Sequence, residues 1–193
     1  MDRIINGIEL NTKTDVYDLI PVVDNIITNY CIDHDLQEND IFPSIWNDIL
    51  IEIYMQLFKD TDVIRLTSTD KNYNQEKILQ VYELIYKRIC YKHCKEISLK
   101  AFYYMTGIDD NCLYDWENKP SAICKDLRKT IVSDNEESLE MLLHDRRYNA
   151  MKFLPSLNRK HNWALPGAKT DSGGSIKLSL ADLKKLPEIA QNE

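Results

Sequence analysis

Glycine is scarce: the 193 residues contain five, and none sits in a GxxxxGKS/T or GxGxxG pattern. A nucleotide phosphate needs such a loop so that backbone N–H groups can close around it, so nucleotide binding has no cradle here. The four histidines, His34, His93, His144 and His161, are scattered, with no HExxH and no partnered nucleophile. Catalysis is therefore the least supported class, and neither an enzyme nor a cofactor is expected. There is no CxxC pair among Cys31, Cys90, Cys94, Cys112 and Cys124. Cys90 and Cys94 flank His93, but structural zinc sites repeat close cysteine pairs, so these thiols read as small buried hydrophobes and no metal is expected. An odd cysteine number behind a polar start implies no disulfide framework and a reducing, cytoplasmic setting. Apolar runs such as Ile49–Ile53 fall far short of a membrane span, so no membrane partner is expected.

What is present is charge, unevenly placed. The chain carries 24 basic and 31 acidic residues, a net −7, within an ordinary apolar fraction of 44%. Residues 1–80 hold 6 basic against 15 acidic residues, residues 81–130 hold 9 against 7, and the remainder is balanced at 9 and 9. Only the middle segment has a cationic excess, so nucleic acid, if bound, is bound there. A single copy would bind weakly, because acidic neighbours cancel the field that phosphates need.

That middle segment contains ISLKAFYYMTGIDDNCLYDW, from Ile97 to Trp116, which reads as two short helices around a glycine turn. A helix from Ser98 to Met105 would put Leu99, Phe102 and Met105 on one face beside Ala101. Gly107 would end it in the left-handed conformation, and Ile108 would turn back into the core. Asp109 or Asp110 would cap a second helix whose inward positions are Cys112, Leu113 and Trp116. This is the form of a helix-turn-helix, whose second helix enters the major groove. Asn111 and Tyr114 are placed for base or sugar contacts and Lys119 for a phosphate, supported by Lys92, Lys95, Lys100, Lys125 and Arg128. Two features oppose the motif: Tyr103 stands where a small residue usually permits close packing, and Asp110, Asp115 and Glu117 would face phosphates badly.

The rest predicts an all-α protein with a flexible C-terminal tail. Residues 1–14 read as frayed or extended. A helix begins after Asp15, with Val16, Leu19, Ile20, Val23, Ile26, Ile27 and Tyr30 recurring at three- and four-residue intervals and Pro21 kinking it or starting its main part. Residues 31–42 form an acidic loop with Asp33, Asp35, Glu38 and Asp40. Pro43 opens a broad apolar helix to about Lys59, suited to a bundle or to a second subunit. A polar connector then leads to a division near Asn72, and a helix runs from Gln75 to about Lys95. Cations at the end of that helix suit its dipole or a phosphate. One helix is expected over Ala122–Val132 and another after Ser133 or Asp134, ending at Arg146 and Arg147, followed by a short helix around Pro155 that closes on a core anchor, Trp163. Beyond Gly167, a Gly173-Gly174 linker precedes Leu180, Leu183 and Leu186, a layout common in docking segments. The expected organisation is an acidic helical region over 1–71, a helix-turn-helix domain over 72–166, and a linker with docking segment over 167–193.

The runs AFYYMTGIDDNCLYDWENK, SLEMLLHDRRYNAMKFLPSLNRKHNWALPG and KLSLADLKKLP, within residues 75–187, resemble phage and prophage terminase small subunits of Gram-positive bacteria. The resemblance implies a non-catalytic DNA-packaging adaptor in a bacterial host cell. Its helix-turn-helix would bind double-stranded DNA, its helices would assemble a homo-oligomeric ring, and Leu180, Leu183 and Leu186 would dock the large terminase subunit. Two other readings remain: a phage-encoded transcriptional regulator acting as a dimer, and an acidic interaction module that inhibits a host nucleic-acid-binding enzyme.

Overall fold

The computed structural model describes residues 3–38, 41–66, 73–145, 150–161 and 163. Strands β1 (Arg3–Ile5) and β2 (Ile8–Leu10) pair antiparallel, with Arg3 opposite Leu10. Their turn is Asn6-Gly7, both at positive φ (52° and 81°), the conformation a two-residue hairpin needs. The segment expected to be frayed or extended is extended and folded back on itself, and the Asn-Gly pair was the signal of its turn.

Helix α1 (Val16–Asp33) starts at Asp15, whose carboxylate accepts from the Tyr17 N–H, and it runs through Pro21. Its inner face buries Val16, Leu19, Val23, Ile26 and Ile27 as the spacing required, together with Val22 and Cys31, whereas Ile20 and Tyr30 are only partly buried. Helix α2 occupies 43–58, α-helical over Pro43–Ile53 and widening to a π-helical turn over Tyr54–Phe58. Trp46, Ile49, Leu50, Ile53, Leu57 and Phe58 are all buried. The connector is less polar than it reads. Val63 and Ile64 enter the core, Ile64 accepts from the Asn74 N–H, and Arg65 bridges to Tyr73.

Helix α3 spans 75–92 and forms the central post. Asn74 caps it through the Lys77 N–H, and its middle, Val81–Lys87, is π-helical. Tyr82, Ile85, Tyr86 and Ile89 are fully buried along it. At its end Cys94 takes the left-handed conformation (φ 51°) and the Lys95 N–H closes on the Cys90 carbonyl at 2.8 Å. Helices α4 (Leu99–Thr106) and α5 (Asp110–Glu117) follow. Turns, not a helix, occupy 120–126, and then α6 (Leu127–His144) runs without a break where two helices were expected. Ser133 and Asp134 look like caps in sequence, yet Asp134 is an interior position whose carboxylate faces α3. It accepts from the Tyr82 hydroxyl at 2.6 Å and pairs with Lys87 at 2.9 Å. A short 3₁₀ turn (Ala150–Lys152) and α7 (Leu154–His161, with Pro155 in its first turn) complete the described part. Arg146 and Arg147 lie outside the described residues.

One apolar cluster runs from Leu10 to Ile131 through every helix from α1 to α6. The division expected near Asn72 therefore separates no two cores: α1 and α2 pack on α3 and α4, residues on its other side. The broad apolar surface of α2 is used within the chain. Fully burying one Leu or Ile contributes about 1.5–3 kcal/mol, so separating the halves would expose a large share of the driving force.

Candidate nucleic-acid interface

The two-helix unit is positioned from below by the tyrosines of α3. The Tyr86 hydroxyl donates to the Ser98 carbonyl and accepts from the Ser98 N–H, both at 2.9 Å. Burial, the largest cause, raises both tyrosine hydroxyls well above their usual range, and for Tyr82 the Asp134 carboxylate adds to it. Both rings meet Phe102 of α4 at centroid distances of 5.7 and 5.3 Å, edge to face. Ser98 in turn caps α4, its hydroxyl accepting from the Ala101 N–H at 3.1 Å.

The turn forms as its residues dictate. Gly107 is left-handed at φ 74° and its N–H returns to the Tyr103 carbonyl at 2.7 Å. A Cβ there would stand 2.7 Å from Cε2 of Tyr54, so glycine is required by space as well as by φ. Ile108 is fully buried, with its N–H held by the Thr106 hydroxyl. Of the two candidate caps the chain uses Asp109, which accepts from the Cys112 N–H at 2.7 Å. Cys112, Leu113 and Trp116 face inward, and Tyr73 meets the Trp116 ring edge to face at 5.8 Å. Tyr103, expected to oppose the motif, is 45% exposed, with its ring 5.9 Å from that of Tyr104.

Asp110, Asn111, Tyr114 and Asp115 form the outer face of α5, with Tyr114 56% exposed and the exposed Asn118 capping its end. The Arg128 guanidinium of α6 lies 6.0 Å from the Tyr114 ring centroid. Its charge is spoken for: Nε donates to Asp110 at 2.8 Å and Nη1 to Glu117 at 3.3 Å. Those contacts, Asp110 first, hold the guanidinium more firmly charged than usual. Lys129 reaches the same Glu117 at 3.6 Å. Lys119 and Lys125, at the two ends of the turn after α5, are exposed and have no ion pair among the described residues. The surface is therefore an exposed Asn and Tyr beside the exposed Asp115, two available lysines, and an arginine locked by Asp110 and Glu117.

The remaining expected contacts do not gather there. Lys95 must be removed from the set: its side chain is buried and Nζ donates to the Ile41 carbonyl, a structural role. Lys92 pairs with Asp24 of α1 at 3.0 Å, alongside Arg88. Burial raises the Asp24 carboxyl, but bonds to these two cations outweigh it and leave it lowered. Lys100 lies on the first turn of α4, 5.6 Å from the Tyr104 ring. Leu180, Leu183 and Leu186 lie outside the described residues. Trp163, expected as a core anchor, is half-buried and donates from Nε1 to Glu136 at 2.6 Å. The carboxylate lock on Arg128 escaped sequence reading, because Asp110 and Arg128 are 18 residues apart and joined by irregular turns.

No family model, curated protein or solved structure matches this chain. Among the described residues, no group of three or more His, Cys, Asp or Glu side chains is placed to hold a metal, and no helix is long and apolar enough to cross a membrane. None of the five cysteines forms a disulfide, and burial pushes the Cys124 thiol up to about 12, away from nucleophilic use.

Proposed function

We propose that the chain is a non-catalytic adaptor that binds double-stranded DNA through α4 and α5, of the terminase small-subunit kind, and that it works as a homo-oligomer which recruits a large terminase subunit. The observation that carries this reading is the capped two-helix unit: Ser98, Gly107 and Asp109 fix its geometry, and Asn111 and Tyr114 are left on the open face of the second helix. Asn is suited to a base edge or a sugar and Tyr to a sugar or phosphate, while Lys119 and Lys125 supply phosphate contacts. With so few available cations, one copy binds weakly. Several copies on one DNA multiply weak contacts through effective concentration, so binding depends on assembly.

The test is absolute mass by light scattering with and without duplex DNA, together with binding titrations at several salt concentrations. A closed ring larger than a dimer, with affinity falling as salt rises and further reduced by Asn111→Ala with Tyr114→Ala, supports the adaptor. A dimer that binds one operator supports a transcriptional regulator. The lock that Asp110 and Glu117 place on Arg128 favours a second reading, an acidic protein-interaction module. Indifference to DNA in every oligomeric form would select it.

A further inference from the structure

We propose that the first turn of α2 and the end of α3 form a binding site for one internal water molecule, held between the indole Nε1 of Trp46 and the imidazole Nε2 of His93. Trp46 is 3% exposed and His93 7%, and neither nitrogen has a hydrogen-bond partner on the protein. A buried donor and a buried acceptor left unmade each cost free energy, so such groups are matched by solvent where the chain offers nothing. The two rings are neighbours, 5.5 Å between centroids and 41° between planes, yet their contact is not a hydrogen bond.

The chemistry of the two atoms selects the occupant. An indole N–H can only donate. On His93 the other ring nitrogen, Nδ1, stands 3.4 Å from the Glu38 carbonyl, and a carbonyl only accepts. Nδ1 therefore carries the proton of the neutral ring, and Nε2 is left as an acceptor. A molecule between the two must accept from one and donate to the other, which a water oxygen does and a metal cation does not. An anion would accept from Trp46 but needs the imidazolium form at Nε2. Burial, the largest cause, and the charges of Lys92 and Lys95 oppose that form, while Glu38 favours it, and the balance lowers the proton affinity of His93. Neither lysine is aimed at the ring: Lys92 pairs with Asp24, and Lys95 Nζ donates to the Ile41 carbonyl. Two polar partners suffice for a buried water.

The bridge ties α2 to the end of the post that carries the two-helix unit, and it is independent of whether α5 binds DNA. A water shared by both atoms also matches the only polar functions these two side chains have left, without asking either ring to move.

The experiment is nuclear magnetic resonance on the full-length chain, labelled with nitrogen-15 and carbon-13 at neutral pH, with the Trp46 and His93 ring signals assigned through their bonds. The expected result is a cross-peak to water at the Trp46 indole proton and at the His93 ring C–H protons that flank Nε2. Its sign should be opposite in the laboratory-frame and rotating-frame Overhauser experiments, the mark of a molecule that is held and not passing. The His93 nitrogen shifts should show a protonated Nδ1 and an unprotonated Nε2. A Trp46 indole proton without that cross-peak would overturn the proposal, and a cross-peak confined to Trp46 would overturn the bridge. Ring signals that move as sodium chloride is added, with Nε2 protonated, would overturn it by assigning the site to an anion. None of these readings depends on DNA affinity.

Discussion

Gly107 and Gly7 are both left-handed, at φ 74° and 81°, but only Gly107 also meets a neighbour, the Tyr54 ring at 2.7 Å from a would-be Cβ; Gly7 meets nothing within 4 Å. Alanine in the left-handed region costs about 1–2 kcal/mol. Gly7→Ala should lower the urea midpoint by about that amount, and Gly107→Ala by measurably more, the excess reporting the Tyr54 contact. Equal losses would mean that the ring moves aside without cost. His93 permits a second prediction. Its Nδ1 donates to the Glu38 carbonyl, its Nε2 is buried without a hydrogen-bond partner, and its ring centroid lies 5.5 Å from that of Trp46. Burial, the largest cause, lowers its proton affinity. Because the folded value lies below the ordinary value near 6.5, the unfolded chain takes up a proton first as pH falls. Stability should therefore decline as pH drops through and below about 6.5, and His93→Gln should flatten that decline in denaturation series at graded pH. Both residues were visible in the sequence, but only Gly107 announced its role. A left-handed glycine after an amphipathic run is a local signal, whereas the environment of His93 is made by Trp46 and Glu38 from distant segments.

The helices themselves were largely legible, because the apolar period that buries one face is written in consecutive residues. Asp15, Ser98 and Asp109 cap helices as their side chains suggest. Asp134 does not. Its carboxylate has partners in the buried Tyr82 and the partly exposed Lys87, and these tertiary contacts outweigh the preference of Asp for a helix start. The same blindness to distant partners hid the Arg128 lock. Replacing Asp110→Asn and Glu117→Gln together should release the guanidinium at a stability cost below about 1 kcal/mol, since the pair is partly exposed. If α5 faces DNA, affinity should rise, and the slope of log affinity against log salt should steepen by about one unit, as one further phosphate contact requires. Anisotropy titrations at several salt concentrations would show it. An unchanged slope would remove Arg128 from the interface.

At the scale of the whole molecule, charge and packing pull in different directions. The acidic excess of residues 1–80 suggested a separable region, yet Ile49, Leu50, Ile53, Leu57 and Phe58 are buried against the segment that carries the two-helix unit. Charge describes the surface and says nothing of which helices share an interior. Unfolding should accordingly be a single transition for residues 3–144, with tryptophan fluorescence and circular dichroism changing together. Two separated transitions would restore the division at Asn72. Only α7 stands outside that expectation. Among its described residues Leu157 alone is buried, and polar contacts add to the attachment of the helix and the residue beyond it: Lys160 to Glu96, His161 to Asn135, Trp163 to Glu136. Salt and water compete for such fastenings as they do not for an apolar interior, so α7 is expected to open locally before the body does. Its amides should exchange with deuterium well before those of Leu127–His144, and sooner still in concentrated salt. Lys160 on Glu96 and His161 on Asn135 then act as latches, fastenings that ions and water loosen while the apolar body keeps its shape.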